Sequence, residues 1–187
     1  ALICSKVRPL SGLLSTIDVA FPDRPAPPPD EVPQAHFRVA SAGYFAAAGI
    51  PILAGRAFLE SDSRSSRPIA IVSQTFAARH WPGESAVGRA LQIVESRASA
   101  PMDVVGVVAD VKQCGLDAAP TADLYVPLPQ MPASQAPLLA ARTYWMVRTN
   151  DDPRALVNRL ADVVHGVDPD VAASSIQTLD EVVNASI

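Results

Sequence analysis

Eighteen prolines cut this 187-residue chain into short pieces, and that punctuation constrains its fold more than any other feature. The share is about twice the usual ~5%. Most of the prolines stand between hydrophobic runs, so they mark turns and connectors rather than a low-complexity tract. Long helices are excluded wherever they cluster, because an interior proline removes a hydrogen bond and clashes with the preceding turn. Two uncharged stretches show the consequence. Val39 to Gly55 is broken by Gly43, Gly49 and Pro51; as one helix it would reach only ~25 Å, short of the ~30 Å hydrocarbon core of a bilayer. Leu124 to Ala141 holds Pro127, Pro129, Pro132 and Pro137, a density that no spanning helix tolerates.

The rest of the composition narrows the class. Hydrophobic residues are 49% and charged residues 18%, which excludes a disordered chain and suits one domain, or one domain with two lobes. Aromatic residues are only 5%, so the core must rest on Val, Leu, Ile and Ala. The net charge is -4, the basic residues are scattered, and the only lysines are Lys6 and Lys112. Nucleic acid and a polybasic membrane contact are therefore excluded as main partners. Cys4 and Cys114 are too far apart in sequence to form a framework; free thiols are the plain reading and a single disulfide the alternative. The chain has no initiator Met and no basic, cleavable leader pattern at its start. It reads as a soluble piece of a longer polypeptide.

Periodicity places the elements. Ser15 to Phe21 alternates, with Ile17, Val19 and Phe21 on one face, and predicts a half-buried strand. Arg24 to Pro33 is an extended, exposed, proline-rich connector. Gln34 to Ala40 predicts a second strand, antiparallel to the first, with Phe37 and Val39 inward and His36 and Arg38 outward. Ser41 then caps a short helix, Ala42 to Ala48, with Tyr44, Phe45 and Ala48 as its apolar stripe and Gly49 at its end. Pro68 to Val72 is a strand, and Ser73 caps a helix that carries Phe76, Ala77 and His80 and stops at Trp81-Pro82-Gly83. Arg89 to Glu95 is a strand with Leu91 and Ile93 inward. Met102 to Val111 is the most hydrophobic strand, and its valines predict burial on both faces. Lys112 to Pro137 is a proline-rich excursion around a short strand, Leu124 to Val126. Thr143 to Thr149 is a strand. Asp152 with Pro153 starts a helix whose apolar stripe is Leu156, Leu160, Val163 and Val164 and which Gly166 and Asp168-Pro169-Asp170 end. Ala173 to Gln177 is a last strand. Thr178-Leu179-Asp180-Glu181 is a capping box that opens a helix with Leu179, Val182, Val183 and Ile187 on its apolar side.

No catalytic constellation emerges. His36, His80 and His165 read as surface or rim residues, and no Cys-x-x-Cys or His-x-x-x-His spacing offers a zinc site. Cys114, in Lys112-Gln113-Cys114-Gly115, lies outside any cysteine-enzyme signature. Gly83, Gly88 and Gly106 do not form a phosphate loop, and Asp62 and its neighbours are too dispersed for a calcium loop. Catalytic, cofactor-binding and metal-binding residues are therefore all expected to be none. The residues by themselves predict a non-enzymatic α+β domain.

Several segments, taken in order, resemble one family. Val39-Ala40-Ser41-Ala42-Gly43-Tyr44-Phe45 followed by Gly49-Ile50-Pro51-Ile52-Leu53-Ala54-Gly55-Arg56-Ala57-Phe58 is one such stretch. Ile69 to Gln74, Phe76 to Glu84 and Val87-Gly88-Arg89 form the next, then Val104-Val105-Gly106-Val107-Val108-Ala109-Asp110-Val111 and Leu124-Tyr125-Val126-Pro127. Val147-Arg148-Thr149, Asp152-Pro153, Asp168-Pro169 and Thr178-Leu179 complete the order. The set resembles the MacB-like periplasmic core domain of FtsX-type ABC transporter permeases. Cys114 and the loop from Met131 to Ala141 do not follow the pattern.

The resemblance implies a two-lobed periplasmic core domain of an inner-membrane protein. A porter-like βαβ lobe would be built from both chain ends, residues 1–58 and 142–187, with a second mixed lobe, 59–141, inserted. It implies no cofactor and no catalytic residue. Partners would be the transmembrane helices of its own permease, a cytoplasmic ATP-binding subunit or domain, a periplasmic adaptor and a second copy of the parent. The implied function is to couple ATP-driven movement of membrane helices to export, or to the handling of substrate or adaptor, outside the membrane. The alternatives are an extracytoplasmic small-molecule sensor with a pocket between the lobes and, more remotely, a hydrolase dependent on Cys114. Gly49 and Gly55 are expected at backbone bends, Gly106 at a close packing contact, and Arg56 and Asp110 as polar anchors.

Overall fold

The computed structural model describes residues 2–5, 16–94, 100–112, 119–131, 144–167 and 177–184. Cys114 and all but the last residue of the strand expected over 173–177 lie outside them, and so does the side chain of Cys4. The strands are β1 (Leu2–Ser5), β2 (Thr16–Ala20), β3 (Gln34–Ala40), β4 (Ile52–Gly55), β5 (Ile69–Ser73), β6 (Ala90–Ile93), β7 (Met102–Val108), β8 (Asp123–Pro127) and β9 (Tyr144–Val147). The helices are α1 (Tyr44–Ala48), α2 (Gln74–His80), α3 (Val157–Val167) and α4 (Leu179–Asn184). The α+β class is as expected. The chain divides into two compact units, Ala1–Val147 and Arg148–Ile187.

All nine strands among the described residues belong to the first unit and to one sheet. Six of them close a ring: β2 pairs β6, then β7, β5, β8 and β3 follow, and β3 pairs back to β2. β3 with β8 and β5 with β7 are parallel, and the other ring pairs are antiparallel. β1 and β9 extend the sheet from β3, and β4 pairs β7. The β3–β8 and β4–β7 ladders join residues on either side of the expected lobe boundary.

One apolar cluster draws Val19, Phe37, Val72, Leu91, Val104 and Leu124 from the six ring strands, so it is the filling of the ring. Phe76 from α2 and the adjacent Trp81 join it. A second cluster lies on the outer face, where Tyr44 and Phe45 of α1 pack with Ile71, Val108 and Tyr125. Tyr44, Phe45 and Tyr125 are each 1% exposed. A sequence with few aromatic residues has concentrated them at these two places.

The valine-rich β7 is buried as expected, but simple alternation does not describe it. Ala70 faces Val104 while the next residue, Ile71, faces Gly106. Val105 is therefore a bulge residue, and it resets which side chains point inward. Met102 and Val104 point into the ring before it, and Val107 after it. Val105 and Val108 belong to the outer cluster.

Other expectations need correction. Arg38 does not face solvent: it is 2% exposed, because the outer face of β3 is itself covered. Ser41 does not cap α1 with its side chain; the helix begins after Gly43 without a side-chain cap, and Ala47 rather than Ala48 is buried with Tyr44 and Phe45. The short strand expected at Leu124 to Val126 is present as β8, and it is central to the sheet. β8 is wholly buried and pairs with β3 on one side and β5 on the other.

Ser73 behaves as expected. Its Oγ accepts from the amide of Phe76, accepts from the amide of Asp123 and donates to the carbonyl of Thr121. It caps α2 and ties that helix to β8. Ser73→Ala should lower stability by about 1–3 kcal/mol, since a cap and two further buried bonds disappear together. Chemical denaturation checks this, and a change below half a kcal/mol would show that water replaces the hydroxyl.

In the second unit Asp152 accepts from the amide of Arg154, and the first turn after it, Pro153–Leu156, is a 3-10 turn leading into α3. α3 runs through Gly166 to Val167, the residue before the expected stop at Asp168-Pro169-Asp170. Its expected stripe is only half-covered; Val163 is 61% exposed. The capping box at α4 forms in both directions: Thr178 N donates to Glu181, and Glu181 N donates to Thr178 Oγ1. On the apolar side of α4 Leu179 is exposed and Val182 buried.

Candidate functional site

Three polar constellations stand out in the first unit. The first is a clamp where the end of β4 crosses β7. Gly55 has φ +70°, and a Cβ there would stand 2.2 Å from the carbonyl oxygen of Val105. A Cβ on Gly106 would stand 2.3 Å from the carbonyl oxygen of Arg56. The two backbones therefore touch, and Arg56 N donates to Val105 O at 2.9 Å. The Arg56 guanidinium grips both oxygens of Asp62, at 2.8 and 3.1 Å, and also donates to Ala57 O. Leu59 N donates to the same carboxylate at 2.7 Å. Burial pushes the Asp62 carboxyl up, but the bonds from Arg56 and Leu59 and the guanidinium charge outweigh it and hold it below the usual range. Asp110, the other expected anchor, serves elsewhere: it accepts from Thr75 N and Thr75 Oγ1 at the start of α2.

An open groove of about 460 Å³ runs beside this clamp, lined by Gly55, Arg56, Arg67, Gly88 and Asp103 among others. Both arginines are engaged there, Arg56 by Asp62 and Arg67 by Asp103 at 2.6 Å. Gln130, which sequence reasoning missed, fastens the loop between β4 and β5. It accepts from Ile69 N and donates to Ser63 O, Ser66 Oγ and Arg67 O. A lone glutamine in a proline-rich stretch carries no local signal of that role.

The second constellation surrounds His80. Its ring lies 4.9 Å from Phe21 and 4.5 Å from Phe76. Arg24, from the proline-rich connector, sits over the Phe21 ring at 4.6 Å and donates to His80 O. This closes a small cavity of about 120 Å³ lined by Phe21, Pro25, Pro27, Pro33 and His80. The connector is thus latched down by a cation–π contact. Burial first, then the charges of Arg79 and Arg24, lower the His80 pKa to about 4. The unfolded chain then binds a proton more readily than the folded one, so stability is full above about 6.5 and falls as pH drops toward about 4. His80→Leu should flatten the fall in thermal midpoint across that interval; an unchanged slope would place its origin elsewhere.

The third lies on the outer face of β3 and β8. Arg38 Nε donates to Asp123 Oδ1 at 3.2 Å, with the two side chains 2% and 0% exposed. Thr121 Oγ1 also donates to Asp123. Burial raises the Asp123 carboxyl, and Arg38 and Thr121 oppose it. His36 stands opposite Asp123, and Tyr125 opposite Arg38. Of the histidines expected at the surface or rim, His36 and His80 are partly buried and His165 is exposed. Among the described residues no group of three His, Cys, Asp or Glu side chains could hold a metal ion, and no helix is long and apolar enough to cross a membrane.

A family described as MacB-like periplasmic core domain matches residues 15–163. No curated protein matches the chain. Among solved structures, the fold is similar to the periplasmic region of MacB from Actinobacillus actinomycetemcomitans, at 13% identity and TM-score 0.58, over 89% of this chain and 66% of that one. It is similar to a domain of a protein described as a permease, from Porphyromonas gingivalis, at 17% identity and TM-score 0.58, over 91% of this chain and 70% of that one. It is also similar to the extracellular domain of the ABC-type transporter YknZ from Gram-positive bacteria, at 16% identity and TM-score 0.51, over 88% of this chain and 81% of that one. The chain spans just under two thirds of the MacB region.

Proposed function

This chain belongs to the family of MacB-like periplasmic core domains, and we propose that it serves as the extracytoplasmic, non-catalytic part of an ABC transporter permease. In this reading ATP is hydrolysed by a separate cytoplasmic domain or subunit. The membrane helices move, and this domain carries that movement to substrate or to an adaptor outside the membrane. The family match over residues 15–163 is the observation that carries the reading. The construction of the first unit supports it. A ring of strands with a filled interior, locked by backbone contact at Gly55 and Gly106, transmits force without deforming.

The division into a porter-like lobe, 1–58 with 142–187, and an inserted lobe, 59–141, is part of the same proposal. The β3–β8 and β4–β7 ladders bridge its boundary, so in this proposal the two lobes share one sheet and act together.

The test uses the parent permease in proteoliposomes. Replacing this domain by a flexible linker should leave ATP hydrolysis measurable and abolish transport. Transport that survives the replacement defeats the proposal. The isolated chain should bind no ATP by calorimetry, and micromolar affinity would defeat the non-catalytic part of it.

A further inference from the structure

The proline-rich connector between β2 and β3 lies against an aromatic cluster and is held there at few points. From Pro22 to Pro33 every side chain is exposed or only half-buried. The bonds from Arg24 N to Phe21 O and from Glu31 N to Pro28 O shape the connector itself. Among the described residues, one hydrogen bond from Pro22 to Val32 reaches across to the helix side, from Arg24 to His80 O. The Arg24 guanidinium sits over the Phe21 ring at 4.6 Å and stands 5.9 Å from the Trp81 ring. Asp23 adds an ion pair with Arg89 at 3.7 Å. Between connector and body lies the cavity of about 120 Å³, with His80 on its wall.

Nε2 of His80 is buried and has no hydrogen-bond partner. A protonated imidazole carries an N–H on each nitrogen and a full charge, and both are costly where neither water nor an acceptor reaches them. Phe76, 4.5 Å from the His80 ring, belongs to the filled interior of the ring of strands. The connector bounds the cavity on the other side, so lifting it is the least costly way to admit water. We propose that the connector, residues 22–33, is an acid-released latch: protonation of His80 drives Arg24 off the aromatic cluster and opens Phe21 and Trp81 to solvent. The latch is independent of the transport reading.

The charges around His80 favour release. Burial first, then Arg79 on α2 and Arg24 on the connector, both positive, lower its pKa to about 4. The carboxylates next along, Asp23 beside Arg24 and Glu84 after α2, are both drawn to Arg89. The end of β2 brings only apolar Ala20 and the following Phe21 to the cavity. Once released, the ring returns toward its ordinary 6.5. The released form therefore binds the proton more tightly, and acid favours it. Those two values raise the opening constant at most about twentyfold between about pH 7 and about pH 5. Arg79 stays beside the ring in both states, so about tenfold is expected.

Hydrogen exchange at the Trp81 indole N–H tests this in the 187-residue chain. That N–H is buried and unbonded, so burial alone protects it. Its rate, divided by that of N-acetyltryptophanamide at the same pH, follows the opening constant. It should rise about tenfold from about pH 7 to about pH 5, and respond little to urea below the unfolding range. The buried amides of β5 report global unfolding, and should exchange more slowly and respond strongly to urea. Arg24→Gln should speed Trp81 exchange several-fold at about pH 7, and His80→Leu should remove the rise at low pH. A normalised rate that changes by less than about twofold with pH overturns the proposal. So does a urea response equal to that of the β5 amides, because exposure would then come from unfolding. If His80→Leu does not fold, Arg24→Gln decides: an unchanged rate at neutral pH overturns the latch.

Discussion

Gly106→Ala is expected to destabilise the first unit by about 3 kcal/mol or more, among the larger effects of a single methyl group. The added Cβ would stand 2.3 Å from the Arg56 carbonyl oxygen and 3.3 Å from its carbonyl carbon. These are backbone atoms, so no rotamer change relieves the overlap. Nor can Arg56 withdraw freely. Its amide is bonded to Val105 O, and its side chain is fixed bidentately on Asp62, which in turn holds Leu59 N. Relief requires β4 to peel from β7, which breaks that ladder and the clamp with it. Urea denaturation should show a lowered midpoint with an unchanged slope, meaning stability has changed rather than the surface exposed. A loss under 1 kcal/mol would mean that the β4 crossing yields easily and cannot act as a rigid lock.

Asp123→Ala is the second large expectation, a loss of about 3–5 kcal/mol. Asp123 is 0% exposed and is the ion-pair partner of Arg38, which is 2% exposed. Removing it leaves a buried guanidinium with no counter-charge, and the desolvation of that charge is no longer offset. The backbone amide of Asp123 stays bonded to Ser73, so the loss is electrostatic and not a failure of β8 to pair. The reverse change should cost less, because a buried carboxyl already raised by its surroundings can take a proton and become neutral. Arg38→Met with Asp123→Leu should recover most of the stability, since well-packed apolar groups commonly match a buried pair. Denaturation of the two single variants and the double variant measures this; single losses that simply add would show no coupling between the two residues.

The same residues show what could be read in advance. The α2 start was legible because Ser73 lies directly before an apolar helical run, and its cap needs nothing beyond the next three residues. The capping box at Thr178 and Glu181 is local in the same sense. Gly55 and Gly106 were legible as special positions, and the contact between them gives the reason. Arg38 was misread because alternation assigns every second residue to a face but says nothing of what covers that face. Its partner is 85 positions away. β8 was read as a short strand in a proline-rich excursion with no sign of its central place, and the bulge at Val105 left no mark in a run of valines that suits either register. The Arg38, His36 and Tyr125 cluster is a product of strand order alone.

By itself, the sequence settled the α+β class, seven of the nine described strands, the caps at Ser73, Asp152 and Thr178, and the family. All of these follow from interactions among near neighbours, or from an ordered set of motifs. Tertiary structure alone decided that the strands close into a ring, that the outer face of β3 is buried, and which charged groups meet there. Those outcomes depend on pairings between distant segments, where the hydrophobic gain is much the same for many partners and only the assembled packing selects one.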